Sequence, residues 1–235
     1  MGAMKRWLVI LAVLLVAWPV AASDLGQGID AYRRGDGAAA LAIFEPLAER
    51  GDRNAQFMMG VLHEDGVGIA KDMAKAIAWF RRAADAGLAS AQYNLGQYYE
   101  NGTGVAADPS AAVGWYRRAA AQGHGKAQNN LGLFYAAGKG VAKDLVEAWM
   151  WYELASRRLP GKGHRVAAEN RDRVAKAMSP AQVAEAKAKS GDVAGALWIV
   201  RDITNANDRA KTLFHIAGVQ AAAGDFGEAQ DSAGR

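Results

Sequence analysis

The fold is decided by two copies of one segment, GVGIAKDMAKAIAWFRRAADAG at residues 66–87 and GTGVAADPSAAVGWYRRAAAQG at residues 102–123. The copies lie 36 residues apart, and a more divergent third copy follows after the same interval. Three blocks align without gaps over most of their length, at residues 55–90, 91–126 and 127–162. Self-similarity at such a period is typical of solenoids, in which each small unit buries its apolar face only against its neighbours.

Each block predicts two helices. The first helix has apolar residues at helical spacing and a glycine at its end. The second follows an aspartate, Asp72, Asp108 or Asp144, whose carboxylate can accept hydrogen bonds from the free N–H groups of the first helical turn. Pro109 suits the first position of its helix, and the spacing of Asp144 and Glu147 predicts a capping box.

Glycines recur at two kinds of position. Gly60, Gly96 and Gly132 lie inside the first helices, where glycine costs about 1 kcal/mol relative to alanine. We therefore expect the backbone of the partner helix to approach closely at these residues. Gly66 and Gly68, like their equivalents in the other blocks, fall between the helices, where a positive φ would let the chain reverse.

The repeat pattern resembles the Sel-one-like repeat (SLR) family, relatives of the tetratricopeptide repeats. The second block carries the pattern as Ala91, Leu95, Gly96, Tyr99, Gly102, Gly104, Val105, Asp108, Ala112, Trp115, Tyr116, Ala119, Ala120 and Gly123. The first block departs from it at Met59 and His63, and the third loses the closing Ala-Ala-x-x-Gly. The resemblance implies an all-α, right-handed α-solenoid of stacked antiparallel helical hairpins.

The rest of the chain is divided around these repeats. We predict a signal peptide at residues 1–22, a degenerate amino-terminal helical hairpin at 25–54, repeats at 55–90, 91–126 and 127–162, and closing helices at 163–189. Residues 190–235 resemble a tetratricopeptide-like hairpin, because GDVAGAL at residue 191 and GDFGEAQ at residue 224 lie 33 residues apart. The second of these motifs predicts the start of a further helix.

The amino terminus has the three parts of a secretory signal peptide. Lys5 and Arg6 precede an apolar run at residues 7–20, and small residues then predict cleavage after Ala22 or Ser23. An uncleaved anchor is the alternative, but the run is shorter than the roughly 20 residues that cross a bilayer. We expect a periplasmic or secreted protein.

Composition excludes several classes of function. The chain has no cysteine, so disulfides, thiolate metal sites and a lipid-modified cysteine anchor are excluded. Removal of Lys5 and Arg6 with the signal peptide lowers the formal net charge from +4 to +2, which gives no support to nucleic-acid binding.

No catalytic, metal-binding or cofactor-binding motif is recognisable. The four histidines, at 63, 124, 164 and 215, lack metal-ligand spacing, and no serine stands in a nucleophile motif. The pairs Arg81-Arg82 and Arg117-Arg118 recur in phase and are interpreted as a solvated face, with a binding patch as the alternative. An acid–base pair assembled across repeats stays open.

Peptide or protein recognition is the remaining hypothesis. Tetratricopeptide-like solenoids bind segments on the concave surface that their first helices line, and the stripe of each first helix that differs most between blocks is the candidate surface. Its residues are Asn54, Phe57, Val61 and Glu64 in the first block, Ser90, Tyr93, Gln97 and Glu100 in the second, and Lys126, Asn129, Leu133 and Ala136 in the third.

The sequence thus predicts a non-catalytic scaffold or regulator in the bacterial cell envelope that binds a protein or peptide segment and no nucleic acid. One alternative is a hydrolase or binding protein directed at the cell wall or at β-lactams. The other is a carbohydrate-binding module that uses Phe57, Tyr93 and Tyr98.

Overall fold

A computed structural model describes residues 22–233, and within them the chain forms twelve helices and no strand. The helices are α1 (Ala22–Arg33), α2 (Gly37–Glu49), α3 (Arg53–Asp65), α4 (Met73–Asp85), α5 (Ala89–Asn101), α6 (Pro109–Ala121), α7 (Gly125–Ala137), α8 (Leu145–Arg158), α9 (Gly161–Ala175), α10 (Pro180–Lys189), α11 (Val193–Arg201) and α12 (Ala206–Ala233). None of these helices is long and apolar enough to cross a membrane. The predicted signal peptide, apart from Ala22, lies outside the described residues.

The chain divides into two compact units, of which the first ends at Ala86. In this unit α1 packs on α2, α2 on α3 and α3 on α4, so that two antiparallel hairpins stack. The core lies between them and contains Phe44, Leu47, Met59 and Leu62. The degenerate hairpin and the first repeat therefore share one core.

The second unit begins at Gly87 and contains α5 to α12. Helices α5 to α9 pack in chain order, α10 packs on α8, and α11 and α12 both contact α10. Buried alanines, including Ala119, Ala127 and Ala155, let the helices approach, while Tyr116 and Tyr152 fill the spaces between them. The predicted all-α fold of stacked helical hairpins is confirmed in each unit.

The aspartates before the second helices act as predicted. Asp72 Oδ1 accepts from the N–H of Lys75 at 3.0 Å, and Asp108 and Asp144 each accept two backbone N–H groups of the first turn. The Glu147 carboxylate does not complete the predicted capping box. It accepts a hydrogen bond from Lys189 Nζ at 3.1 Å instead, which ties α8 to α10.

The glycines inside the first helices face aromatic rings, which corrects the expected approach of the partner backbone. A Cβ at Gly96 would lie 2.5 Å from Tyr116 Cδ1, and one at Gly132 would lie 2.7 Å from Tyr152 Cε1. Each ring lies across its glycine because no side chain occupies that space. The glycines between the helices have positive φ as predicted, for example 71° at Gly102.

A buried glutamine near the start of α3, and another near the start of α7, joins each of these helices to the preceding helix. Gln56 Nε2 donates to the carbonyl of Ala48, and Gln128 Nε2 donates to the carbonyl of Ala120, both at 3.1 Å. These bonds connect α3 to α2 and α7 to α6. The glutamine therefore holds successive hairpins together by satisfying a carbonyl near a helix carboxyl end.

The carboxy-terminal segment contains the predicted pair of helices, α11 and α12, which contact each other. The predicted start of a further helix at Gly224 is wrong, because α12 runs without interruption from Ala206 to Ala233. Gly218 and Gly224 lie inside this helix, and nothing lies within 4 Å of the position of a Cβ at either residue. A glycine motif that marks a turn elsewhere in the chain is helical here.

Candidate functional site

One position of the first helix contacts the aromatic ring that projects from the second helix. In the first unit, Phe57 meets Phe80 edge to face with ring centroids 5.3 Å apart. In the second unit, the ring centroids of Tyr93 and Tyr116 are 5.8 Å apart, and the two rings are tilted by 38°. The third repeat has Asn129 at this position.

A cavity of about 320 Å³ lies beside Asn129, on the surface that α5, α7 and α9 form in the second unit. We call this surface the first-helix face, because α9 continues the series of first helices after α5 and α7. The lining residues are Tyr93, Lys126, Asn129, Asn130, Leu159, Lys162, Gly163 and Val166. Polar and cationic groups from α7 thus face the apolar side chains of Leu159 and Val166 across the cavity.

His124 holds the aromatic wall of the cavity. Its ring lies 4.6 Å from that of Tyr93, and its Nδ1 accepts the N–H of Ala127 at 3.2 Å as the N-cap of α7. Burial, with a smaller contribution from the charge of Lys126, lowers the pKa of the imidazole. Burial likewise raises the pKa of the Tyr93 phenol, so both rings are neutral at neutral pH.

The structure brings together three of the predicted binding residues, Tyr93, Lys126 and Asn129. Leu133 is 45% exposed on the same helix as Lys126 but does not line the cavity. Ser90 is exposed, and Gln97, Glu100 and Ala136 are half-buried, also outside the cavity lining. In the first unit, Asn54 is exposed on α3, and Phe57, Val61 and Glu64 are half-buried along the same helix.

Glu100 already has partners within the fold. Its carboxylate accepts the Tyr116 hydroxyl at 2.6 Å and forms an ion pair with Lys139 at 3.3 Å. Burial and this hydrogen bond raise the pKa of Tyr116 far above its usual range. These contacts fix the end of α5 against α6 and against the loop that follows α7.

Of the remaining cavity residues, Asn130 lies beside Asn129 on α7, and the other four come from the end of the third repeat and the start of the closing helices. Lys162 and Val166 follow Lys126 and Asn130 by one repeat interval of 36 residues. Adding one repeat interval to the positions of Lys126 and Asn130 would have found both residues. The rest of the repeat pattern is absent from α9, so similarity alone gave no signal.

The recurring arginines cover tryptophans. The Arg82 guanidinium lies 4.3 Å from the ring of Trp79, and that of Arg118 lies 4.6 Å from the ring of Trp115. Arg117 donates to the Tyr135 hydroxyl at 2.7 Å. These contacts give the Arg-Arg pairs a structural role at the solvated surface of the second helices.

Two other site hypotheses can be compared with the structure. Tyr98, one of the three aromatics expected in a carbohydrate site, is only 7% exposed and packs in the protein interior, so it presents no face to a sugar. No group of three or more histidine and carboxylate side chains in the described part of the chain is arranged to hold a metal ion.

Hairpins stacked around small residues, with a lined cavity on the first helices, define a helical-repeat protein. The sequence profile of the Sel1 repeat matches residues 53–88, 89–124 and 125–158, which correspond to the hairpins α3–α4, α5–α6 and α7–α8. The chain belongs to the Sel1 repeat family, and the resemblance read from the sequence is confirmed.

Two solved structures illustrate this relationship. A Sel1 repeat protein from Oxalobacter formigenes is 39% identical, with a TM-score of 0.52, and the match covers 55% of this chain and 97% of that one. The protein c5321, a protective antigen present in uropathogenic Escherichia coli strains that displays an SLR fold, is 30% identical, with a TM-score of 0.51. That match covers 73% of this chain and 41% of c5321. No curated protein matches the sequence at a significant level.

Family membership defines a general role. Sel1 repeat proteins are generally scaffolds for protein–protein interaction, and they are typically non-catalytic. A cavity on the first-helix face agrees with such a role, because it offers a bound segment both apolar contact and hydrogen bonds.

Proposed function

We propose that this protein is a non-catalytic scaffold or regulator of the bacterial cell envelope that binds an extended segment of a partner protein on the first-helix face of its second unit. The cavity beside Asn129 carries this proposal. It is present where the aromatic ring of the preceding repeat is replaced by a smaller amide, on the surface that helical-repeat proteins use for recognition.

The walls of the cavity suit a peptide. An extended segment leaves its backbone N–H and C=O groups free and presents successive side chains in opposite directions. Asn129 and Asn130 can pair with such a backbone, while Tyr93 and Val166 provide apolar contact for a side chain. Aromatic side chains in this setting often contribute most of the binding energy of an interface.

Filling the cavity tests the proposal. The substitution Asn129→Tyr restores the aromatic residue that the second repeat has at the same position, so it should fill the space without unfolding the protein. Peptides selected from a random display library on the wild-type protein are expected to bind Asn129→Tyr at least about tenfold more weakly, a loss of roughly 1.4 kcal/mol. Fluorescence anisotropy with the selected peptides measures this change.

The matched control is Lys143→Ala, which removes an exposed side chain outside the cavity lining. It should bind the selected peptides with unchanged affinity, and both variants should melt like the wild-type protein. Equal affinity of the wild-type and Asn129→Tyr proteins for every selected peptide would place recognition elsewhere and refute the proposal.

The envelope location rests on the predicted signal peptide. Export with cleavage after Ala22 or Ser23 would yield a periplasmic or secreted form shorter than the full chain by that segment. Mass spectrometry of the protein recovered from periplasmic extract measures its first residue. An uncleaved amino terminus in the cytoplasmic fraction would contradict the location.

A further inference from the structure

All charged side chains that line the cavity are cationic. Lys126 and Lys162 line it, and no aspartate or glutamate is among its lining residues. Neither lysine forms an ion pair with another residue of the described chain. Other lysines of this unit are paired with carboxylates, such as Lys139 with Glu100 and Lys189 with Glu147. Two unpaired ammonium groups at one cavity favour an anionic ligand group.

The two lysines come from equivalent positions of successive first helices. Lys126 is the second residue of α7, and Lys162 is the second residue of α9. The repeat therefore places both at the same end of the first-helix face. The equivalent residue in α5 is Ser90, so the cationic pair is confined to the part of the face that contains the cavity.

The cavity wall also has unused hydrogen-bonding capacity. Asn129 Oδ1 is buried and has no hydrogen-bond partner in the described structure. A buried polar atom without a partner is costly, so a ligand group that can satisfy it beside the cavity is favoured. A peptide N–H is a suitable donor once the side chain turns toward the ligand.

The opposite wall is apolar. Leu159 is half-buried between α8 and α9, and Val166 on α9 is 39% exposed. Covering an exposed aliphatic side chain removes apolar surface from water, which favours an apolar ligand group at this wall. A ligand that contacts both walls must therefore carry an anionic group and an apolar group close together.

On the basis of the proposed function, we infer that the partner segment carries a carboxylate beside an apolar side chain. The carboxylate binds the ammonium groups of Lys126 and Lys162, the neighbouring backbone N–H pairs with Asn129, and the apolar side chain contacts Leu159 and Val166. Hydrogen bonds between charged groups are shorter and about twice as strong as neutral ones, which makes this the specificity-determining contact.

Two sources supply a carboxylate, namely an aspartate or glutamate side chain and the free carboxyl terminus of the partner. Three sets of synthetic peptides distinguish them. The first set has one internal glutamate beside a leucine and an amidated carboxyl terminus. The second replaces that glutamate by glutamine and keeps the terminus free, and the third has glutamine with an amidated terminus.

Binding of these peptide arrays to the wild-type protein is compared with binding to Lys126→Ala/Lys162→Ala. Its matched control is Lys143→Ala/Lys176→Ala, which removes the same number of charges at exposed positions outside the cavity lining. We expect at least one carboxylate-bearing set to bind about tenfold more tightly than the third set. The cavity variant should lose that preference, the control should keep it, and added salt should weaken it.

The charge-reversal variant Lys126→Glu/Lys162→Glu is the most specific test of this inference. It should reject the carboxylate-bearing peptides and prefer peptides with lysine in place of glutamate. Peptide binding with no preference for a carboxylate, or a preference that both alanine variants retain, would overturn this inference and leave the proposed function standing. If no peptide from these arrays or from a random display library binds, both are overturned.

Discussion

At the scale of single residues, the glycines inside the first helices leave room for aromatic rings of the second helices. A Cβ at Gly132 would lie 2.7 Å from Tyr152 Cε1, which is too close for any real contact. The replacement Gly132→Ala should therefore destabilise the protein by about 1–3 kcal/mol through overpacking, although alanine is the better helix former. Urea unfolding followed by circular dichroism measures the change.

Gly114 is the internal control for this effect. It lies inside α6, is exposed, and has nothing within 4 Å of the position of its Cβ. Gly114→Ala should raise the free energy of unfolding by about 0.5–1 kcal/mol, because only the helix propensity changes. Stabilisation of similar size at both glycines would contradict the role assigned to the rings.

His124 gives a pH dependence. Burial lowers the pKa of His124 below the 6.5 of an exposed histidine, and protonation of Nδ1 would remove the acceptor that caps α7. Because the unfolded state then binds a proton more readily, stability is complete above about pH 6.5 and falls as the pH decreases toward the folded-state pKa.

His124→Asn tests this linkage, since asparagine can cap a helix without titrating. The variant should lose less stability than the wild type between about pH 7 and about pH 5. His63, whose pKa is also lowered by burial, contributes equally to both proteins and does not affect the comparison. Parallel stability curves for the wild type and the variant would show that His124 is not the group responsible.

Residue roles that depend on the local chain were predictable, and those that depend on another helix were not. The Asp108 cap follows from the two residues after it, so the sequence alone identified it. The Gln128 bond to Ala120 and the ring across Gly132 depend on the packing of neighbouring helices. The repeated Ala-Gln at the start of each block was the available signal for the glutamine.

At the scale of helices, each hairpin is stabilised where its second helix begins. Asp108 Oδ1 accepts two N–H groups of the first turn of α6, which the helix itself cannot satisfy. Asp108→Ala should lower the free energy of unfolding by about 1 kcal/mol. Asp108→Asn should cost only a few tenths, because asparagine is an equally good N-cap. If chemical denaturation gave equal losses of unfolding free energy for Asp108→Ala and Asp108→Asn, a capping role would be refuted.

Within the repeats, the N-cap residues and the glycines predicted where each helix begins and ends. The repeat pattern did not predict the bounds of α9 and α12. In α9 the repeat sequence has been lost, and its place is maintained by contacts such as the ion pair between Arg171 and Glu153 of α8 at 2.6 Å. In α12 the GDFGEAQ motif continues a helix, because glycine also permits helical φ.

At the scale of the whole molecule, the 36-residue period was sufficient to predict stacked helical hairpins and the family. The period was insufficient to predict the cavity. The cavity depends on Asn129, which departs from the repeat, and on α9, in which the repeat pattern is no longer recognisable. Asn129 has an amide where the preceding repeats have aromatic rings, and Val166 and Lys162 line the cavity from α9. Departures from a repeat therefore carried more functional information than its matching positions.

The central claim is that the first-helix face of the second unit contacts a partner in the cell envelope. The most direct test is photo-crosslinking in living cells, with the photoreactive amino acid benzoylphenylalanine placed at Val166 in the cavity wall or at exposed Gly114 on α6. We predict a discrete crosslinked partner in the envelope fraction from position 166 and none from position 114. Crosslinking from position 114 alone, or the absence of any product from position 166, would contradict the claim.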